Sequence, residues 1–242
     1  MNRRITAWPL IAAALLATGV TVPRMSGGDD MMTRVRATYA ALHSYSDTGV
    51  VVKQYAATQE RHTFTTCYKA PRLFHFDFQK DGGDRFDIWS DEKAFHSWWK
   101  STGAQEDYPR GRGMNAFLAA EYLTAGSGLK IPALLFSGSG LQGAFANFEQ
   151  PALDGTEEIG GRKCYRLVGT AKDVYAGTGR EVNVRQMTVW VDTESLLIRK
   201  VVEESPKGTP AATAVRTTTT FEPQANPSLD DGRFQFVAPA AK

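Results

Sequence analysis

Five strand-like runs follow one another between residues 47 and 100 with almost nothing between them. They read "DTGVVVKQYA", "ERHTFTTCYK", "PRLFHFDFQK", "DRFDIWSD" and "KAFHSWWK". Only Ala57–Gln59, Pro71, Gly82–Gly83 and Asp91–Glu92 separate them. Parallel strands need a long crossover, so connections this short make consecutive strands antiparallel neighbours. Within the third run, Phe74, Phe76 and Phe78 occupy every second position. Side chains alternate across a strand, so the three rings leave one face and His75 and Asp77 leave the other.

Elsewhere the period changes. Residues 29–43 place Met32, Val35, Tyr39 and Leu42 at spacings of three and four, one stripe of an amphipathic helix, with Asp29 or Asp30 available as N-cap. Residues 113–126 carry Phe117, Leu118, Tyr122 and Leu123 among helix formers, and a second short helical piece is expected over 132–136. Strands are expected again over 155–159, 164–169, 181–192, 196–204 and 213–221. The order is helix, meander, helical insert, meander. It predicts an α+β fold built on one large curled antiparallel sheet, covered on one face.

The first residues stand apart from this globule. Arg3 and Arg4 precede an uncharged apolar stretch, Ala7 to Val20, with small residues at Ala17 and Gly19. That order predicts a secretory signal peptide over 1–19, since the run is shorter than the ~20 residues that span a bilayer. Residues 20–242 then form a single domain in the periplasm. Cleavage there removes two of the 28 basic side chains and none of the 26 acidic ones, leaving no formal charge. The basic footprint of a nucleic-acid binder is absent.

Few motifs point to chemistry. "GSGLQG", residues 138–143, matches a dinucleotide-binding glycine pattern, but "AFANFEQPALDG" follows it where the phosphate-holding helix should start. It reads as a turn. Ser127 and Ser139 lack the frame of a nucleophile elbow. The four histidines sit on separate elements outside metal-binding patterns, and neither cysteine has a second ligand at metal spacing. His75 and Asp77 read as a solvated polar face. No catalytic group, metal or cofactor is therefore expected, and a binding protein is favoured over an enzyme. Cys67 and Cys164 leave two readings open: a disulfide, suited to an exported protein, or two thiols on separate strands. A bridge requires that their strands lie side by side.

Aromatic residues are the stronger signal. Phe64 with Tyr68, the three phenylalanines of the third run, Phe86 with Ile88, and Phe95 with Trp99 each repeat at a period of two. Four successive strands thus offer an apolar face, opposite His75, Asp77, Arg85, Asp87 and His96; Trp89 and Trp98 break the polar side. The rings either fill a solid core or line a hollow, and periodicity does not separate the two.

A resemblance bears on that choice. The stretch from "MMTRVRATYAALHSYSDTGVVV" through "KAPRLFHFDFQKDGGDRFDIWSDEKAFHSWW", continued in "GTEEIGGRKCYRLVG", "MTVWVDTESLLIRKVV" and "FQFVAPAAK", resembles the LolA/LolB-like lipoprotein-localisation superfamily, which also includes RseB-type periplasmic sensors. The resemblance implies an incomplete antiparallel β-barrel closed by a lid of helices, with a hollow for acyl chains. It implies lipid or lipoprotein acyl chains as ligand and a membrane-bound donor or acceptor protein as partner. A carrier is the first expectation; a sensor regulating a membrane partner is the second. The hollow would be lined by Phe64, Phe74, Phe76, Phe78, Phe86, Ile88 and Phe95 from strands and by Phe117, Leu118, Tyr122 and Leu134 from the lid. The chain departs from the pattern before Pro71, where the lipoprotein carriers have an arginine tying lid to barrel. Here Ala70 stands, with Arg72 just after. Arg72 shares a face with Phe74 and could reach the hollow, but the tie itself is not carried over.

Overall fold

The computed structural model describes residues 27–71, 73–90, 94–109, 134–135, 145, 148–174 and 181–237. The expected leader over 1–19, the helix over 113–126, the glycine motif at 138–143, and Arg72, Phe117, Leu118 and Tyr122 lie outside them.

Helix α1, Gly28–Ala40, opens the fold. Its stripe is the expected one: Met32, Val35 and Tyr39 are buried, as is Leu42 just beyond its end. Its start is not. Gly27 is the N-cap, and Asp29 and Asp30 fall inside the first turn, where their charge complements the helix dipole instead of capping it. The start is set by packing. A Cβ on Gly28 would lie 2.0 Å from the Pro151 carbonyl oxygen, so only glycine lets the helix sit this close to the sheet.

The strands are β1 (Ser44–Gln54), β2 (Gln59–Lys69), β3 (Leu73–Gln79), β4 (Arg85–Ser90), β5 (Ala94–Trp99), β6 (Gln105–Pro109), β7 (Phe148–Ile159), β8 (Arg162–Val174), β9 (Glu181–Asp192), β10 (Ile198–Glu204), β11 (Arg216–Phe221) and β12 (Gln224–Ala225). All pair antiparallel, in the order β6-β5-β4-β3-β2-β1-β11-β10-β9-β8-β7, with β12 added beside β1. The two meanders are thus joined where β1 meets β11, and Val51 stands opposite Thr219 there.

Among the described residues this sheet does not close, because β6 and β7 are its two free ends. A twisted sheet this wide cannot lie flat and curls on itself. One apolar cluster accordingly joins Phe78 on β3 to Leu167 on β8, although five strands separate them in the sheet. The result is an incomplete barrel with helical cover, as the order of elements predicts. Met31, Met32, Val35 and Tyr39 of α1 lie on its inner face, together with Leu134, Leu135 and Phe145 from the connection between β6 and β7. Arg36 of α1 holds that connection by donating to the Phe145 carbonyl at 2.5 Å.

Candidate functional site: an aromatic inner face

The register of β2, β3 and β4 places the expected rings side by side. Phe64 pairs with Phe78, Phe78 with Phe86, Tyr68 with Phe74, and Phe76 with Ile88. Ring centroids are 4.7 Å apart for Phe78–Phe86, 5.9 Å for Phe64–Phe76 and 6.1 Å for Phe76–Phe86, within the range of favourable aromatic contact. Phe64 also meets Phe221 edge-on at 5.7 Å across β1. That crossing needs Gly49, where a Cβ would lie 2.1 Å from the Phe64 ring and 2.5 Å from the Thr220 carbonyl oxygen.

The structure brings Phe64, Phe74, Phe76, Phe78, Phe86, Ile88 and Leu134 into one buried cluster. Phe95 is on β5 with its backbone opposite Ser90 and Tyr108; its side chain lies outside the described residues. The second meander supplies what the sequence reading did not name: Leu167, Met187, Val189, Val191 and Val201 complete the apolar face, with Leu135 and Phe145 above it. Alternation over "MTVWV" could have found Met187, Val189 and Val191.

Among the buried polar groups of the inner face, Asp47 stands beside the rings. Asp47 follows Tyr45 at the strand period, and both are buried. The Tyr45 hydroxyl donates to Asp47 Oδ2 at 2.6 Å. Tyr39 of α1 stacks obliquely on Tyr45 at 5.7 Å, and its hydroxyl accepts from the Ile198 N–H at 3.0 Å, fastening the helix to β10. Burial pushes the Asp47 carboxyl up to about 6, against the pull of its Tyr45 and Thr66 hydrogen bonds. Burial likewise raises both tyrosines far above their ordinary value. The period-two reading of β1 would have placed Asp47 on the apolar face.

The outer face is more closely tied than a solvated polar face, and His75 and Asp77 are half-buried there. His75 Nε2 lies 3.1 Å from Asp87, which is fully buried, and its Nδ1 donates to the Arg233 carbonyl at 2.8 Å. Arg85 reaches both Asp87, at 3.0 Å, and Asp77. Burial and the nearby Asp87 raise the Asp77 carboxyl, with Arg85 acting the other way. The C-terminal segment covers this cluster. After a short 3-10 turn, Asp231–Phe234, Phe236 sits 4.8 Å from Trp89 and 5.3 Å from Trp98. The two tryptophans that break the polar face are its slot.

Both cysteines are free. Cys67 is on β2 and Cys164 on β8, with β1, β11, β10 and β9 between them, so the disulfide reading gives way to separate thiols. Burial raises both thiols. No group of metal-binding side chains occurs among the described residues, and no helix there is long and apolar enough to cross a membrane.

Fold and site define a class: an open antiparallel sheet whose apolar inner face is roofed by helices instead of by more strands. No protein-family model matches the sequence, and no curated protein matches it. Solved structures with a similar course of the chain include the Mycobacterium tuberculosis lipoprotein LppX, at 11% identity and TM-score 0.46, over 84% of this chain and 98% of that one. The complex of Pseudomonas aeruginosa MucA and MucB matches at 15% identity and TM-score 0.46, over 87% of this chain and 61% of that one. A LolA superfamily protein from Nitrosomonas europaea matches at 7% identity and TM-score 0.35, over 87% and 98%. Identities and scores this low describe a similar path of the backbone and say nothing of ligands.

Proposed function

We propose that the chain is an exported binding protein, residues 20–242 behind a removable leader, that carries an acyl chain of a lipid or lipoprotein against the inner face of its sheet. The observation that supports this most is the row of rings from Phe64 to Phe86, continuous across three strands and buried in one cluster with side chains of α1 and of the connection between β6 and β7. A roof of this kind separates from a sheet without breaking strand pairs. The acyl chain takes the place of Leu134, Leu135 and Phe145 on the rings.

The energetics are sufficient. Each methylene moved from water into apolar surroundings contributes ~0.8 kcal/mol, so about a dozen give ~10 kcal/mol gross. Ordering and lost motion take back a large part. Binding of this kind requires no catalytic group.

The test is extraction of the protein purified from periplasm, followed by mass spectrometry. Co-purifying acyl lipid and an absence of turnover on acyl esters are expected. Steady ester hydrolysis abolished by a single Ser or His substitution would replace the binding class with an enzyme. Capture of one defined membrane protein by lipid-free chain would favour a sensor.

A further inference from the structure

Asp47, on the strand beside the aromatic row, has a buried carboxylate oxygen, Oδ1, without a hydrogen-bond partner among the described residues. Tyr45 donates to the other oxygen, and Thr66, opposite on β2, also draws on the carboxyl, but no donor among the described residues makes a hydrogen bond to Oδ1. Register fixes where it stands: Asp47 pairs with Thr66 on β2, and Thr66 pairs with Phe76 in the middle of the row. A buried carboxylate oxygen without a donor costs free energy, and an apolar residue here would simply have continued the ring surface.

We propose that Asp47 is the polar end of the ligand site and takes a hydrogen-bond-donating head, an ammonium or hydroxyl, on an otherwise apolar chain. This rests on the acyl-chain reading above and adds the chemistry of the ligand's head. Tyr45 orients the carboxyl by holding Oδ2, which leaves Oδ1 directed at the incoming donor. Tyr45 itself is kept in place by the Tyr39 ring. A fatty carboxylate meets the opposite situation. Its charge would face Asp47 in a site with little water, where like charges repel strongly.

The preference carries a pH signature. The titratable groups around Asp47 are Tyr39 from α1 and Tyr45 from β1, with Cys67 nearby on β2 and Arg199 acting on Tyr39. Both tyrosines stay protonated throughout the neutral and acid range, so Asp47 alone changes charge there. The attraction to an ammonium is present above about pH 6 and fades as the carboxyl protonates below it.

The experiment is displacement of bound 11-(dansylamino)undecanoic acid from purified protein by hexadecylamine, hexadecanol or palmitate. Near neutral pH the amine and the alcohol should displace it at about tenfold lower concentration than palmitate, as expected for one charge-assisted hydrogen bond. The advantage of the amine should shrink as pH falls below about 6. Asp47→Asn should bring the amine and palmitate together. The preference and its pH dependence are read on the unmodified chain, so they stand even if the variant folds poorly. Equal displacement by all three, at every pH, would overturn the anchor and leave the apolar site standing. Failure of the dansyl probe and all three chains to bind would overturn the acyl-chain reading itself.

Discussion

Phe76→Ala separates a packed core from a ligand surface. Phe76 is buried and lies in the middle of the row, its ring centroid 5.9 Å from Phe64, 6.5 Å from Phe74, 6.2 Å from Phe78 and 6.1 Å from Phe86. Truncation removes all four contacts together and leaves a ring-sized void. A loss of about 3–5 kcal/mol is expected, a large share of the ~5–15 kcal/mol that holds a domain together. At a urea slope of ~2 kcal/mol per M, the unfolding midpoint falls by about 2 M. Ligand binding gives the second reading. A chain ligand at a hundred times its dissociation constant should stabilise the unmodified protein by about 2.7 kcal/mol. The same concentration should stabilise Phe76→Ala far less, because the surface it binds is interrupted. Urea melts with and without hexadecanol measure both quantities on one instrument. A full core-type loss accompanied by undiminished ligand stabilisation would refute the reasoning and leave an ordinary packed sheet.

Gly49→Ala should cost about 1–3 kcal/mol in the same melts, since the added Cβ meets the Phe64 ring and a backbone oxygen that cannot rotate away. Asp192, buried where the β9–β10 turn closes, has its carboxyl held below the usual range: burial opposes its charge, but the Ser195 and Glu194 N–H groups and Arg199 outweigh it. Its stabilisation is therefore fully present above the ordinary carboxylate value of about 4 and is lost as pH falls through its lower folded value. Asp192→Asn should cost about 1.5–3 kcal/mol near neutral pH, and the gap to the unmodified protein should close on acidification. Thiol counting on unfolded, non-reduced protein should find Cys67 and Cys164 both reactive; fewer thiols would contradict their separation in the sheet. N-terminal sequencing of protein recovered from periplasm should begin near Val20, and full-length chain recovered from cytosol would remove the export proposal.

Much of the first meander was legible because its signals are local. Alternation in "LFHFDF" and the short turn at Gly82–Gly83 depend only on residues a few positions apart, and β1 to β5 follow from them. Where local signals fail, elements were missed. "QEDYP" has no apolar alternation and ends in proline, yet it forms β6 because β5 supplies the partner, with Ser97 opposite Glu106. The first half of β7 carries Pro151 and a left-handed Gln150 (φ 49°), and its register against β8 shifts twice, so it does not read as a strand.

By itself, then, the sequence determined the antiparallel meanders, the buried stripe of α1 and the common face of Phe64, Phe74, Phe76, Phe78, Phe86 and Ile88, since period and turn chemistry are written into neighbouring residues. Tertiary structure alone decided that β1 joins β11, which keeps Cys67 from Cys164 and turns two meanders into one curled sheet. It alone decided that Phe236 fills the slot of Trp89 and Trp98, and that Asp47 is buried against Tyr45, which Tyr39 packs on. Each of these is a meeting of residues far apart in the chain, settled by which surfaces bury best against one another, and a one-dimensional period holds no record of that choice.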